Sequence, residues 1–323
     1  MPNVAIIGTT AWGTTLGMVL ARNEAQVRLW ARTDQEASGL KKAGLNPTLL
    51  TSVNFPPNFS ITSSLSEALS GVRAVILAVP SQSMRRNIKL LVEHLDESML
   101  IICAAKGLEI GSNKRMSQVI ADEIVTDYWP NICVLSGPNL SPEILDDLPA
   151  ATVVAAADAA IARKAQKLLT TPNFCVFTNT DLVGVELGGS LKNIIALGAG
   201  IADGLDYGDN AKAALITRGL TEMTALGVAL GANPLTFSGL AGLGDLIATC
   251  ASPLSRNHFV GMELAKGRSL KEITDSMTGI AEGVGTTMVV WNLARQMGLE
   301  MPITRTIYRV LYEGADLHQA AGE

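Results

Sequence analysis

The stretch NVAIIGTTAWGTTLGMVLARNEAQVRLWAR, Asn3–Arg32, changes texture along its length. Asn3–Gly8 is short, β-branched and apolar on both faces, the pattern of a buried parallel strand. GTTAWG, Gly8–Gly13, reads as a tight turn, and the TTLGMVLARN behind it reads as a helix. A second strand-like run, QVRLWAR, follows at Gln26–Arg32. Strand, glycine turn, helix and strand make a βαβ unit, and such units build parallel sheets covered by helices.

Further along the chain, Ala74–Pro80, Met99–Lys106 and Asn131–Pro138 repeat the strand signal, with helix-length spacers between them. ATVVAAA (Ala151–Ala157) and FCVFTN (Phe174–Asn179) are expected to extend the same sheet. Past Asp181 the strand signals fade, and Ala, Leu and Gly recur at helical spacing. The expected fold class is α/β: a Rossmann-type doubly wound N-terminal domain, 1–180, followed by an all-helical C-terminal domain, 181–323. Two domains suit 323 residues at ~150 residues per domain.

Composition narrows the function classes. A chain 48% hydrophobic and 17% charged has ample material for a core, which excludes disorder. A net charge of -5 without a basic stripe argues against nucleic acid as a partner. Cys103, Cys133, Cys175 and Cys250 show no pairing or metal spacing, and they are expected to be thiols in a reducing compartment. His94, His258 and His318 are scattered, so no metal is expected. MPNVAIIG enters a strand at once and has no signal-peptide texture. No apolar run is expected to reach the ~20 residues of a membrane span. Together these predict a cytoplasmic protein without stable membrane insertion.

The glycine turn carries the first functional expectation. In G-x-G-x-x-G the glycines permit the tight turn, the close approach of a pyrophosphate and the packing of helix on strand. Here Gly8 and Gly13 hold the outer positions and Thr10 replaces the middle glycine. Thr10 is expected either to shift the pyrophosphate outward or to donate its hydroxyl to it. A plain structural turn is the competing reading. At the end of the second strand Arg32 suits a 2′-phosphate, and Asp34 suits ribose hydroxyls. The expected cofactor is therefore NADP or NAD, with NADP preferred. Ligands of such sheets sit beyond the carboxyl ends of the strands. That rule singles out AVPSQ (Ala78–Gln82), Lys106 and SGPN (Ser136–Asn139).

ELGGSLKNII, Glu186–Ile195, carries the second. On a helix, residues three and four apart share a face, so Gly188 and Gly189 lie one turn before Lys192 on its own side. Each glycine costs up to ~1 kcal/mol relative to alanine. The cleared space is expected to hold a nicotinamide ring and a small substrate, with Asn193 adding an orienting hydrogen bond. Burial and nearby positive charge would lower the pKa of Lys192 and make it a general base. Against this stands a lysine that merely snorkels from a packed helix. GLAGLGDL (Gly239–Leu246) reads as a flexible turn ending in Asp245, which would otherwise cap the next helix. SPLSRN (Ser252–Asn257) reads as a helix entry with Ser255 at the cap, and with Arg256 it is expected to form an anion site, the alternative being a plain surface arginine.

The runs AWGT, AAKGLE, LSGPN, ELGGSLKNIIALGAGIADGL, GDNAKAALITRGLTEM, GLAGLGDL, SPLSRN and AEGV extend in order over most of the chain. In these the sequence strongly resembles the bacterial NAD(P)-dependent glycerol-3-phosphate dehydrogenases. The resemblance implies interconversion of glycerol 3-phosphate and dihydroxyacetone phosphate for lipid precursors, with Lys192 as proton acceptor and Lys106 and Asp245 assisting. It implies substrate near Lys106, Gly137, Asn139, Lys192, Asp245, Ser255, Arg256 and Asn257. It implies cofactor near Gly8, Thr10, Trp12, Gly13, Arg32, Lys106, Ser141, Arg256, Ile280 and Glu282, and a homodimer. The chain departs from the family at Thr10 and at Asn139–Leu140, where Ser-Phe is usual. Two other readings remain: a two-domain dehydrogenase of β-hydroxy acids, and a non-catalytic nucleotide sensor with a decayed loop at Thr10.

Overall fold

The computed structural model describes residues 2–47, 49, 53–317 and 319. The chain forms two compact units. The first comprises Met1–Ala105 and Met116–Leu182; the second comprises Lys106–Arg115 and Val183–Glu323. The second unit thus takes up a short piece of chain, Lys106–Arg115, from within the first half.

The first unit is built on one eight-stranded sheet: β1 Asn3–Ile7, β2 Gln26–Trp30, β3 Phe59–Thr62, β4 Ala74–Leu77, β5 Leu100–Cys103, β6 Ile132–Ser136, β7 Ala150–Ala156 and β8 Phe174–Asn179. Their order is β3-β2-β1-β4-β5-β6-β7-β8. All neighbours are parallel except β6 and β7, which run antiparallel. The helices are α1 Ala11–Arg22, α2 Asp34–Ala43, α3 Leu65–Leu69, α4 Met84–Leu91, α5 Met116–Glu123, α6 Ser141–Leu145 and α7 Ala159–Leu169. β1 and β4 are buried along nearly their whole length, which explains their continuous apolar sequence. β3 has no counterpart among the sequence-predicted strands. It is four residues long behind Pro56 and Pro57, and its pairing with β2 from Val27↔Phe59 onward gives it its register.

The second unit is helical: α8 Leu182–Gly204, α9 Gly208–Ala229, α10 Pro234–Phe237, α11 Asp245–Ala251, α12 Arg256–Ala265, α13 Leu270–Ser276, α14 Glu282–Met297 and α15 Pro302–Tyr312. Leu187, Leu191, Ile194, Ile195 and Leu197 of α8 form the centre of its core. α8 corrects the expectation that no apolar run approaches a membrane span. It is 23 residues long with mean hydropathy 1.3, and the stretch Pro234–Ala251 also passes by length and composition. In α8 that composition reflects burial on every side, with 89% of the apolar window inside the protein. GLAGLGDL is likewise not a flexible turn, because Leu240–Gly244 is wound as a π-helical segment leading into α11.

Cys103, Cys133 and Cys250 are buried free thiols, whereas Cys175 is exposed on β8. Burial raises Cys133 and Cys250 to about 12, so neither ionises at neutral pH. His258 is buried and His94 half-buried, and His318 lies outside the described residues.

Candidate functional site

Asp245 opens α11, but its side chain caps nothing. It is 1% exposed and holds two lysines. Lys106 Nζ donates to Oδ2 at 2.7 Å, and Lys192 Nζ donates to Oδ1 at 2.5 Å. Lys192 Nζ also donates to Thr249 Oγ1 at 2.5 Å. Thr249, one helical turn beyond Asp245, donates its own proton to the Asp245 carbonyl at 2.6 Å. The sequence reading missed Thr249; its signal was the i, i+4 spacing from Asp245 on one helix face.

Two ammonium groups share one carboxylate here, with side-chain exposures of 17% for Lys106, 8% for Lys192 and 2% for Asp245. The cluster therefore carries a net positive charge in a poorly hydrated place, where it attracts an anionic or developing oxyanionic oxygen. Lys106 titrates below its ordinary value. Burial lowers it from 10.5 to about 8, the neighbouring Lys192 adds to the effect, and Asp245 opposes it.

Gly188 has a different role from the one the sequence suggested. A Cβ there would lie 2.5 Å from the Ala241 carbonyl oxygen and 3.4 Å from Gly242 Cα. The space is filled by the backbone of the π-helical segment, not left for a ring. The missing side chain lets that segment lie directly on α8, and the segment delivers Asp245 to Lys192.

A second polar chain crosses the same unit. Asn257 Nδ2 donates to Asn193 Oδ1 at 2.8 Å, and the Gly283 amide donates to Asn257 Oδ1 at 2.9 Å. This joins α8 to the N-terminal turns of α12 and α14. Ser255 is the N-cap of α12 as expected, and its hydroxyl accepts from the His258 amide at 3.2 Å. Arg256 is exposed at the first turn of α12 and lies over Gly279, where a Cβ would come within 2.5 Å of Nη1. Glu282 opens α14 and is close enough to Arg256 to attract its charge; Ile280 is 51% exposed. An arginine at the first turn of α12, with an asparagine beside it, suits an anionic group.

In the first unit the predicted residues gather at the carboxyl edge of the sheet. Gly8 has φ +114, and a Cβ there would lie 2.8 Å from the Ala78 carbonyl oxygen. A Cβ on Gly13 would lie 2.4 Å from the Gly8 carbonyl oxygen. Both glycines are therefore required by the turn. Thr10 is the N-cap of α1: its hydroxyl accepts from the Gly13 amide at 3.0 Å and donates to the Ala78 carbonyl at 2.7 Å. It is turned inward, so the expected hydroxyl donation to a pyrophosphate is not its role in this conformation.

The side chain of Arg32 is exposed at the end of β2, and its amide donates to Glu36 at 3.0 Å. Glu36 also accepts from Thr9 at 2.5 Å, while Asp34 is held by the Ser63 hydroxyl. Asn139 Nδ2 donates to Thr152 Oγ1 at 3.1 Å, beside Gly137 at φ +150, and Ser141 opens α6. Trp12 Nε1 and Asn139 Oδ1 are buried without a partner. Those orphaned atoms, the twelve-residue α1 starting at the sheet edge and the exposed Arg32 fit a dinucleotide phosphate ligand.

Comparison with known proteins gives concordant matches. The family model for the NAD-dependent glycerol-3-phosphate dehydrogenase N-terminus matches residues 3–162, and that for the C-terminus matches residues 181–322. A glycerol-3-phosphate dehydrogenase [NAD(P)+] of Dehalococcoides mccartyi is 64% identical over 323 residues, covering 99% of this chain and 90% of the relative. One from Streptomyces avermitilis is 47% identical over 310 residues, covering 96% and 92%. The crystal structure of glycerol-3-phosphate dehydrogenase from Coxiella burnetii superposes with a TM-score of 0.94 at 36% identity, covering 99% of this chain and 98% of that one.

Proposed function

This chain belongs to the NAD-dependent glycerol-3-phosphate dehydrogenase family, and we propose that Lys192 is the group that exchanges the substrate proton. The protein is an NAD(P)-dependent oxidoreductase interconverting sn-glycerol 3-phosphate and dihydroxyacetone phosphate. The bound nicotinamide supplies the hydride acceptor or donor at carbon 2. Lys192 takes the proton of the carbon-2 hydroxyl during oxidation and returns it during reduction. Asp245 and Thr249 hold the lysine amine at 2.5 Å each and so fix its direction. Lys106 presents a second positive charge to the same oxygen. Ser255, Arg256 and Asn257 receive the substrate phosphate, and Gly137 and Asn139 are assigned to substrate as well.

We assign Gly8, Thr10, Trp12, Gly13, Arg32 and Ser141 to the dinucleotide, with Lys106, Arg256, Ile280 and Glu282. The exposed Arg32, with Asp34 already engaged by Ser63, supports NADP over NAD. The further proposals are a homodimer in the cytoplasm that supplies glycerol 3-phosphate for phospholipid synthesis.

The observation that carries the catalytic reading is the buried carboxylate shared by two lysine amines. Its test is the loss of NADPH absorbance with dihydroxyacetone phosphate. Lys192→Met should turn over about 10²–10⁴-fold more slowly, as acid–base groups do, and a near-normal rate would remove Lys192 from the mechanism. A second reading gives the proton to Lys106, because burial brings it to about 8, near the working pH. The pH profile of kcat separates the two: the limb belonging to the proton carrier vanishes only in the variant lacking that amine.

A further inference from the structure

We propose that the buried Arg115–Glu186 ion pair is a positioning device that pins the segment Lys106–Arg115 onto α8 and so fixes the Lys106 amine against Asp245. This rests on the reading that Lys106 serves the reaction. The segment contains little regular structure. Leu108 and Arg115 form an isolated antiparallel bridge, and the Glu109 amide donates to the Lys114 carbonyl at 2.9 Å. The turn between them has positive φ at Gly111 and Asn113. A loop this short does not hold a lysine amine in one direction by itself.

Its attachments converge on one face of α8. Arg115 Nη1 lies 2.6 Å from Glu186 Oε2, with side-chain exposures of 16% and 2%. One turn further along α8, Ser190 Oγ lies 3.3 Å from the Gly107 carbonyl, beside Lys106 itself. Leu108, 1% exposed, sits between these polar ties in the core with Leu187 and Leu191. A buried ion pair is poor evidence of stability, since an apolar pair of similar volume does as well or better; its best-attested use is to set register. The apolar contact of Leu108 tolerates sliding along α8, whereas an ion pair at 2.6 Å does not. A directional anchor at each end of the segment, Arg115 at one and Lys106 at the other, is what register control requires.

The test is a cycle of steady-state rates with dihydroxyacetone phosphate and NADPH. The variants are Glu186→Gln, the paired apolar change Arg115→Met with Glu186→Leu, and each again on a Lys106→Met background. The paired change leaves no uncompensated buried charge, which keeps the test open if Glu186→Gln fails to fold. A misplaced Lys106 should lower kcat roughly 10- to 100-fold. On the Lys106→Met background the same changes should alter kcat by less than about twofold, because the two sites act as one.

The proposal is overturned if kcat stays near wild type with Lys106 present, or if the loss is equal in both backgrounds, as a merely structural pair would give. If Lys106→Met itself turns over normally, the role assigned to Lys106 fails, and the positioning role fails with it. That result differs from an inert ion pair beside an essential lysine.

Discussion

Lys106→Met should stabilise the second unit while it disables the enzyme. Burial, reinforced by Lys192, outweighs the attraction of Asp245 and lowers the Lys106 ammonium from 10.5 to about 8. At about 1.4 kcal/mol per pH unit, holding that side chain charged costs the native state about 3 kcal/mol near neutral pH. The Lys106–Asp245 attraction is already inside that balance. The native pKa lies below the unfolded one, so between about 8 and 10.5 the unfolded chain holds a proton that the native chain has released. Native stability therefore rises with pH across that window, and the cost is fully present below it.

Methionine has similar length and no charge, and Asp245 keeps Lys192 at 2.5 Å. The variant should gain up to about 3 kcal/mol near pH 7, and the gain should vanish as the pH approaches 10.5. Hydrogen exchange of the α8 and α11 amides measures this as an opening free energy within the second unit. Turnover of dihydroxyacetone phosphate should fall in the same preparation. A variant less protected than wild type near pH 7, or a difference that does not change with pH, would refute the argument.

Gly188→Ala forces a methyl group to within 2.5 Å of the Ala241 carbonyl oxygen, so it should cost about 1–3 kcal/mol in thermal unfolding and lower kcat by displacing Asp245. Unchanged kcat would show that the Gly188 contact does not set the position of Asp245. Glu222 accepts from the Ile303 and Thr304 amides at 2.6 and 3.1 Å, and burial raises its pKa above 4.5. A raised carboxyl pKa contributes stability that is present at low pH and lost as pH rises through the native value. Wild type should therefore gain protection of α15 as pH falls from neutrality toward 4.5, and Glu222→Gln should abolish that dependence in hydrogen exchange. Arg32→Ala should raise KM for NADPH about tenfold, the effect of one lost charge-assisted contact, and change KM for NADH much less. Equal effects on the two cofactors would contradict a 2′-phosphate role.

Local sequence pattern revealed what local forces determine. The glycine turn, the buried parallel strands and the Ser255 cap each follow from a few neighbouring residues, and each is present in the fold. β3 escaped because a four-residue strand behind two prolines carries almost no pattern of its own, and its pairing with β2 defines it. Lys192 was found from its glycines, yet at Gly188 the inference from glycine to ligand did not hold. A helix glycine marks a close approach, and the sequence does not say whether backbone or ligand approaches; at Gly188 it is the backbone of Ala241.

Lys106 shows the same limit from the other side. Its position at a strand end suggested the edge of the sheet, but its amine is held by Asp245, 139 residues further along the chain. Leu108, Ser190, Arg115 and Glu186 draw its segment into the helical unit, and none of those pairings repeats a local period. The pKa of the lysine follows from that capture: placed on an exposed loop the same residue would keep its ordinary value. The chemistry at Lys106 is thus set by long-range packing that brings Lys192 and Asp245 to it, which is why spacing alone could name the residue but could not say what burial does to its amine.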